Sequence, residues 1–503
     1  MALLDTLAPL RAHAGARRTH GLDDATILRF AASHPDLVEA IEAAGAEYAR
    51  IHNEFADLLD MDESAQALAV QAGFVNFYSN DTVNPYVALA ARGPWIVTLK
   101  GALVHDSGGY GMLGFGHTPK AVLDTMSRPQ VMANIMTPSL AQLRFDRAIR
   151  KEVGHTRSTE AGGGCPFDKF LCLNSGSESV SLACRIVDVN AKLMTDPGAP
   201  HAGRTIKRVV VKGSFHGRTE RPALYSDSSR KNYMQHLASF RGEDRVITVE
   251  PYDIDALRKV FADADANGWF VEAMFLEPVM GEGDPGRALP RGFYDVAREL
   301  TKLHGSILLI DSIQAGLRAH GVLSIVDYPG FEGIEAPDME AYSKALNAAQ
   351  YPLSVLAVNE RAAGLYRKGT YGNTMTTNPR ALDVACTVLG LLTPQLRTNI
   401  RERGKEAIAR LEALKTELPG LITKVQGTGL LLSCELSREF KGYGTGSTEE
   451  WMRERGIGVI HGGENSLRFT PTFAVTSEEL ELLIGMVKHA LLEGPRQRQA
   501  AAA

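Results

Sequence analysis

Between residues 22 and 71 the apolar positions Ile27, Phe30, Val38, Ile41 and Ala44 recur at helical spacing, with acids on the opposite face. That pattern predicts amphipathic helices. No chemistry gathers there, and the segment reads as a helical cap or an oligomer contact. Short apolar stretches between 94 and 106 predict strands, followed by a glycine-dense run at 108–117. The central third changes character. Runs rich in Val, Ile and Leu at 170–173, 208–211, 245–249, 273–276, 306–310 and 353–358 alternate with longer helical patterns. Such alternation predicts an α/β layer architecture with a mainly parallel sheet, apolar throughout because both its faces are covered. After Pro379, helical patterns at 381–392 and 399–418 lead into a smaller α+β tail. Its strand candidates are 427–434, 458–461 and 466–469, with a closing helix from Ser477. Segments 156–166, 195–204 and 437–448 read as irregular insertions.

At 503 residues the chain exceeds one ordinary core, so two or three domains are expected. With 54 Lys+Arg against 59 Asp+Glu, the net charge of −5 leaves no footprint for nucleic acid or an anionic membrane. No apolar run reaches the roughly 18–20 residues that span a bilayer. Five cysteines without a CxxC point to a reducing compartment, the cytoplasm. Cys165, Cys172 and His155 lack zinc-ligand spacing, so no metal site is expected. Residues 1–18 lack the charged-then-apolar order of a secretory signal and read as an exposed terminus.

In an open parallel sheet, ligands bind beyond the carboxyl ends of the strands. The residues just after the strand candidates are therefore the informative ones. Ser175-Gly176-Ser177 opens a helix directly after a strand, where glycine allows close approach and free N–H groups favour a phosphate. A plain N-cap explains the same serines equally well. Gly108–Gly116 lacks both the strand–GxGxxG–helix context and a Walker lysine, which excludes a nucleotide loop. Asp311 closes an apolar strand, where an acid is costly unless it meets a cation or donor. It reads as an N-cap or as the partner of a cationic ring nitrogen. Lys344 sits in an apolar surround, which suits Schiff-base chemistry, although most lysines are simply solvated. With Phe215 as a flat face for stacking, these residues form the parts list of pyridoxal 5′-phosphate: anion site, stacking ring, carboxylate and amine.

From about Val87 to Leu492 the chain resembles the class III (ornithine, acetylornithine and ω-amino acid type) aminotransferases, a fold-type I group of pyridoxal-phosphate enzymes. The motifs match in order: Asp106–Gly111 with Gly116-His117, Asn174–Glu178, Phe215–Thr219, Glu277–Gly283, Asp311–Gly316, Ser343-Lys344, Thr374 with Asn378-Pro379, and Arg468–Pro471. The resemblance implies that Lys344 is the Schiff-base lysine and proton shuttle, and that Asp311 pairs with the pyridinium nitrogen. Gln314 matches the residue bonding the ring 3′-oxygen, Phe215 the stacking ring, and Gly176 and Ser177 the phosphate cup. His216 is placed beside the cofactor, bracing its loop. Thr374 matches a threonine that reaches the neighbouring subunit's phosphate, which implies a homodimer with shared active sites. On the substrate side, Arg218 sits where related enzymes bind a carboxylate, and Tyr110 matches an aromatic lining.

The implied fold is a large, mainly parallel-sheet domain at 126–385, flanked by a smaller α+β domain from both chain ends (76–125 and 386–503). Residues 1–75 form a helical extension before it. Several departures bear on the substrate. Ser312 stands where the family shows glutamate, and Arg318-Ala319-His320-Gly321 where it shows Gly-Arg-Thr-Gly. Asn347-Ala348-Ala349-Gln350-Tyr351 replaces a glycine run. Gln426 replaces the arginine that, in ornithine-type enzymes, pairs with the glutamate matching Glu282. Either Glu282 is left to meet a cationic or hydroxyl group of the substrate, or Gln426 bonds it and Arg468 or Arg218 takes the carboxylate. His461 reads as a satisfied histidine. The expected activity is transamination of a small-molecule amino donor and a carbonyl acceptor by a ping-pong route. The alternatives are an isomerase (epimerase or aminomutase) on the same fold and a non-catalytic protein of that fold.

Overall fold

The computed structural model describes residues 2–132 and 135–497. The chain divides into two compact units. A terminal unit takes the described residues of Met1–Lys120, Glu402–Gln426 and Leu432–Ala503; a central unit takes Ala121–Arg401 and Gly427–Leu431.

The central unit is built on a seven-stranded sheet. Its strands are β1 (Lys169–Leu173), β2 (Thr205–Val211), β3 (Val246–Val249), β4 (Trp269–Leu276), β5 (Ile307–Asp311), β6 (Met339–Tyr342) and β7 (Ser354–Val358), in the order β1-β7-β6-β5-β4-β2-β3. β2 pairs in parallel with β3 and β4, β4 with β5, and β5 with β6. The apolar run at 353–358 does not continue this pattern: β7 lies antiparallel to both β6 and β1. The reason is the link from Tyr342 to Ser354, which holds only a short 3-10 turn, Lys344–Asn347. A parallel return needs a crossover of a dozen or more residues, usually a helix.

β6 is a further departure from the pattern, because Glu340 interrupts its apolar run and conceals the strand. The helix Gly176–Thr195 buries Val180, Ala183, Cys184 and Val187 against Leu173, Phe275, Leu309 and Leu356 of the sheet. Covering both faces with helices is what allows strands with almost no polar residues.

In the terminal unit, helices Asp24–Ala31, Pro35–Ile51, Ala56–Leu59 and Glu63–Gln71 occupy the helical N-terminal region. The start of the chain is not a bare exposed terminus: Ala2–Ala12 is a helix that buries Leu7 and Leu10 completely. Strands Ala88–Arg92, Trp95–Thr98 and Leu103–Asp106 form an antiparallel sheet, with Ile457–Gly458 added in parallel. The 427–434 candidate is not one strand. It spans the end of Ile422–Thr428, a turn at Gly429-Leu430 and the start of Leu431–Leu436. Gly429 holds φ +56, and a Cβ there would lie 1.8 Å from the Ala319 carbonyl oxygen. Among the described residues no helix is long and apolar enough to cross a membrane.

Candidate active site

Polar side chains gather where the parallel strands of the central unit end. β5 ends in Asp311, and β6 runs through Ser343 into Lys344. Lys344 opens its 3-10 turn at φ +44. A left-handed conformation at a non-glycine residue costs on the order of 1–3 kcal/mol and needs support from its surroundings. The support is a pair of bonds to one carbonyl: Ser343 Oγ and Asn347 Nδ2 donate to the Leu353 oxygen at 2.7 and 3.0 Å. The alanines that replace the glycine run keep the glycine-like backbone, with φ +50 at Ala348 and +58 at Ala349. Lys344 Nζ donates to Gln314 Oε1.

Asp311 is 5% exposed. Its Oδ1 accepts from the Ile313 amide at 3.1 Å, and its Oδ2 lies 2.9 Å from His216 Nδ1. His216 is buried, its amide donates to Ser226 Oγ, and its Nε2 has no hydrogen-bond partner among the described residues. The phosphate-cup candidates close onto the same residues. A Cβ on Gly176 would meet Ile313 Cδ1 at 2.8 Å; one on Gly217, which holds φ +109, would meet Ser177 Oγ at 2.7 Å. Ser175 caps the helix Gly176–Thr195 in a reciprocal box with Glu178. The first amides of such a helix have no intrahelical acceptor, which makes its N-terminus able to hold an anion.

Glu277, just beyond β4, holds two of these loops. Its oxygens accept from the Phe215 and Gly281 amides at 2.9 and 2.8 Å. Burial pushes its carboxyl up to about 7, from an ordinary 4.5. The native protein therefore binds a proton that the unfolded chain releases between those values, so this group's contribution to stability is full below about 4.5 and is lost as pH rises through about 7. Glu277→Gln should flatten that fall, as read from urea midpoints across the same window. A variant whose midpoints fall as steeply as those of the wild type would exclude Glu277 as their source.

Arg218 reaches over the Phe215 ring, 5.1 Å from its centroid, and lies 3.6 Å from Glu282. Both side chains are about one-third exposed (38% and 35%), so the pair is weak and open to exchange. Thr374 is exposed, next to Asn373, which bonds Asn174 and Glu178 at 3.3 Å each. Thus Lys344, Gln314, Asp311, His216, Gly176, Ser177, Phe215, Arg218 and Glu282 form one connected set within the central unit. Tyr110 and Gln426 belong to the terminal unit. There Tyr110 stacks on Tyr78 at 5.7 Å beneath the Arg468 guanidinium, and His461 bonds Glu449 at 2.9 Å. Sequence reasoning missed Glu340; its one signal was an acid inside an apolar strand.

The chemistry of this donor set fits pyridoxal phosphate. An amine and a buried carboxylate stand at adjacent strand ends, and a helix N-terminus and an aromatic ring complete the set. Among the described residues His216 Nε2 is a buried polar atom without a hydrogen-bond partner, on a ring held against Asp311.

Comparison with known proteins gives the same picture. The family model "Aminotransferase class-III" matches residues 77–491. The acetylornithine aminotransferase of Xanthomonas axonopodis pv. citri is 31% identical over 312 residues, covering 62% of this chain and 71% of that protein. The crystal structure of an ornithine aminotransferase from Toxoplasma gondii superposes with a TM-score of 0.72 at 21% identity, covering 88% of this chain and 98% of that one. A second structure of the Toxoplasma gondii enzyme, described with partial occupancy of PLP at its active site, gives 0.70 at 23% identity, over 85% and 94% of the two chains.

Proposed function

The chain belongs to the class III aminotransferases and is a pyridoxal-phosphate-dependent transaminase, and we propose that Lys344 and Asp311 are its two central residues. The observation that carries this reading is their placement at the ends of neighbouring strands β5 and β6, with Gln314 bonded to the lysine amine. When bound, the cofactor supplies an aldehyde carbon that takes up the amino group and a cationic ring that accepts electron density from the broken C–H bond.

In this reading the chain's own residues do the rest. Asp311 holds the ring nitrogen protonated, and His216 Nδ1 orients that carboxylate. Gln314 accepts from the Lys344 amine and bonds the ring oxygen, keeping the two in reach. Gly176 and Ser177 receive the phosphate, and Phe215 covers the ring. With the cofactor held there, Lys344 Nζ would be the group that takes the proton from the substrate carbon and holds it for return. Water would supply the oxygen of the departing carbonyl product, the amino group would stay with the cofactor, and a second carbonyl substrate would take it up by the reverse sequence, giving ping-pong exchange. The named relatives are aminotransferases, and none supports an isomerase.

The substrate is proposed to carry a carboxylate that Arg218 receives once it leaves Glu282. With Gln426 in place of the family arginine, this pair within the central unit takes over the restraint on Glu282. A charge-assisted hydrogen bond is worth about 1.5–3 kcal/mol, so Arg218→Ala should raise KM for carboxylate-bearing substrates roughly ten- to a hundredfold. Amines without a carboxylate should be nearly unaffected, and equal losses on both classes would sink the assignment. Screening single amines and amino acids for conversion of the cofactor to its amine form tests the reaction itself.

A homodimer with shared sites is part of the proposal. Val131, Met132, Ile135, Met136, Leu140 and Leu143 are exposed, Met136 by 81%, and so is Met375 beside Thr374. Exposed apolar residues concentrated in this way mark an association surface. A second copy covering them would bring Thr374 to the neighbouring phosphate cup. All five cysteines are free, which agrees with a cytoplasmic setting.

A further inference from the structure

The strand that leads to Lys344 carries a carboxyl group in the middle of the sheet. Glu340 is fully buried in β6, paired with Ile310 on β5 and Ala357 on β7. An interior strand position of a covered parallel sheet is ordinarily apolar. An acid buried there costs several kcal/mol unless its oxygens are satisfied, on the order of the penalty for any ion removed from water.

Here the oxygens are satisfied by four converging donors. Oε1 accepts from Ser312 Oγ at 2.5 Å and from the Ile325 amide at 2.9 Å. Oε2 accepts from the Tyr342 hydroxyl at 3.0 Å and from Ser324 Oγ. Two of these donors adjoin the reacting groups. Ser312 directly follows Asp311, and its amide also bonds the Ala341 carbonyl of β6 at 3.0 Å. Tyr342 precedes Lys344 by two residues. The other two donors belong to the 324–325 turn beneath them. Glu340 is thus the one side chain that ties the end of β5 to the end of β6 among these bonds.

The remaining ionisable groups that face it are Tyr342 on its own strand, Tyr328 after the 325–327 turn, Tyr294 on the helix Arg291–His304 and Cys165 before β1. Burial holds each of these above its ordinary value, so all stay neutral around Glu340. Burial also pushes Glu340 itself up to about 7, against the pull of its four donors.

We infer that Glu340 is a positioning residue for the transamination: through Ser312 and Tyr342 it sets the spacing between the Asp311 carboxylate and the Lys344 amine. The inference rests on the roles proposed above for those two residues. It also gives the serine at 312 a purpose, since a hydroxyl there can donate to a carboxylate that a second glutamate would repel.

The test uses the full-length holoprotein and two variants, Glu340→Gln and Ser312→Ala. Glutamine keeps the shape and removes the charge; alanine removes only the link to the Asp311 corner. Three quantities are read: the pH midpoint of the cofactor's visible absorbance, the affinity of the apoprotein for pyridoxal phosphate, and kcat against KM. Each variant should move the midpoint by about one unit and weaken cofactor affinity about tenfold, one unit being a tenfold change in relative proton affinity. Effects should fall on kcat with KM held. Because the two residues act through one bond, the double variant should be clearly less than additive. Ser312→Ala that folds, binds cofactor and titrates like the wild type would overturn the inference, whether or not Glu340→Gln folds. Additive effects would overturn it as well. Wild-type protein that gains no visible band on adding pyridoxal phosphate would instead overturn the assignment of Lys344 itself.

Discussion

Lys344→Ala should load cofactor weakly and show no conversion of it by any amine that the wild type accepts. The expected loss is at least 10²–10⁴-fold, the usual contribution of one positioned proton-transfer group, before its covalent role is counted. The fold should survive. The positive φ at 344 is as costly for alanine as for lysine, and the bonds from Ser343 and Asn347 that hold the turn do not involve the amine. Unchanged thermal unfolding with abolished single-turnover absorbance change is therefore the combined signature. Single turnovers at more than about a hundredth of the wild-type rate would remove Lys344 from the mechanism.

Asp311→Asn should be nearly as severe. Asparagine keeps the size of the side chain and can still meet His216 Nδ1, but it supplies no charge to a cationic ring nitrogen. Breaking a buried ion pair by removing one partner costs about 3–5 kcal/mol, or roughly 10²–10⁴-fold, and the loss should appear both in cofactor affinity and in kcat. Equilibrium binding of pyridoxal phosphate to the apoprotein separates the two. If Asp311→Asn binds cofactor as tightly as the wild type and turns over within about fivefold of it, the acid is no more than a cap for the Ile313 corner.

Local chemistry explains why so much of this was readable from residues alone. Near-continuous Val, Ile and Leu runs that alternate with helical patterns suit a sheet covered on both faces. Glycine and serine at a helix start, and an acid or a lysine at a strand end, carry their chemical meaning with them. The ordered motifs from Asp106 to Pro471 therefore led to the class III family before any geometry was known. The helix Ala2–Ala12 was not readable, because Leu7 and Leu10 are buried only in the folded chain, beside residues as distant as Gly101. β6 was hidden because its central residue is a glutamate whose partners lie at 312, 324, 325 and 342.

By itself, then, the sequence determined the α/β class, the family and the residue types available for pyridoxal-phosphate chemistry, since each depends on local pattern and side-chain identity. Only the tertiary structure decided which of those residues touch. It turned β7 antiparallel, because the link after Lys344 is too short for a crossover. It set Asp311 against His216 and Arg218 against Glu282, and gave Glu340 to Ser312. Those pairings join positions from 28 to 95 residues apart in the chain, and no local propensity encodes a contact at such range.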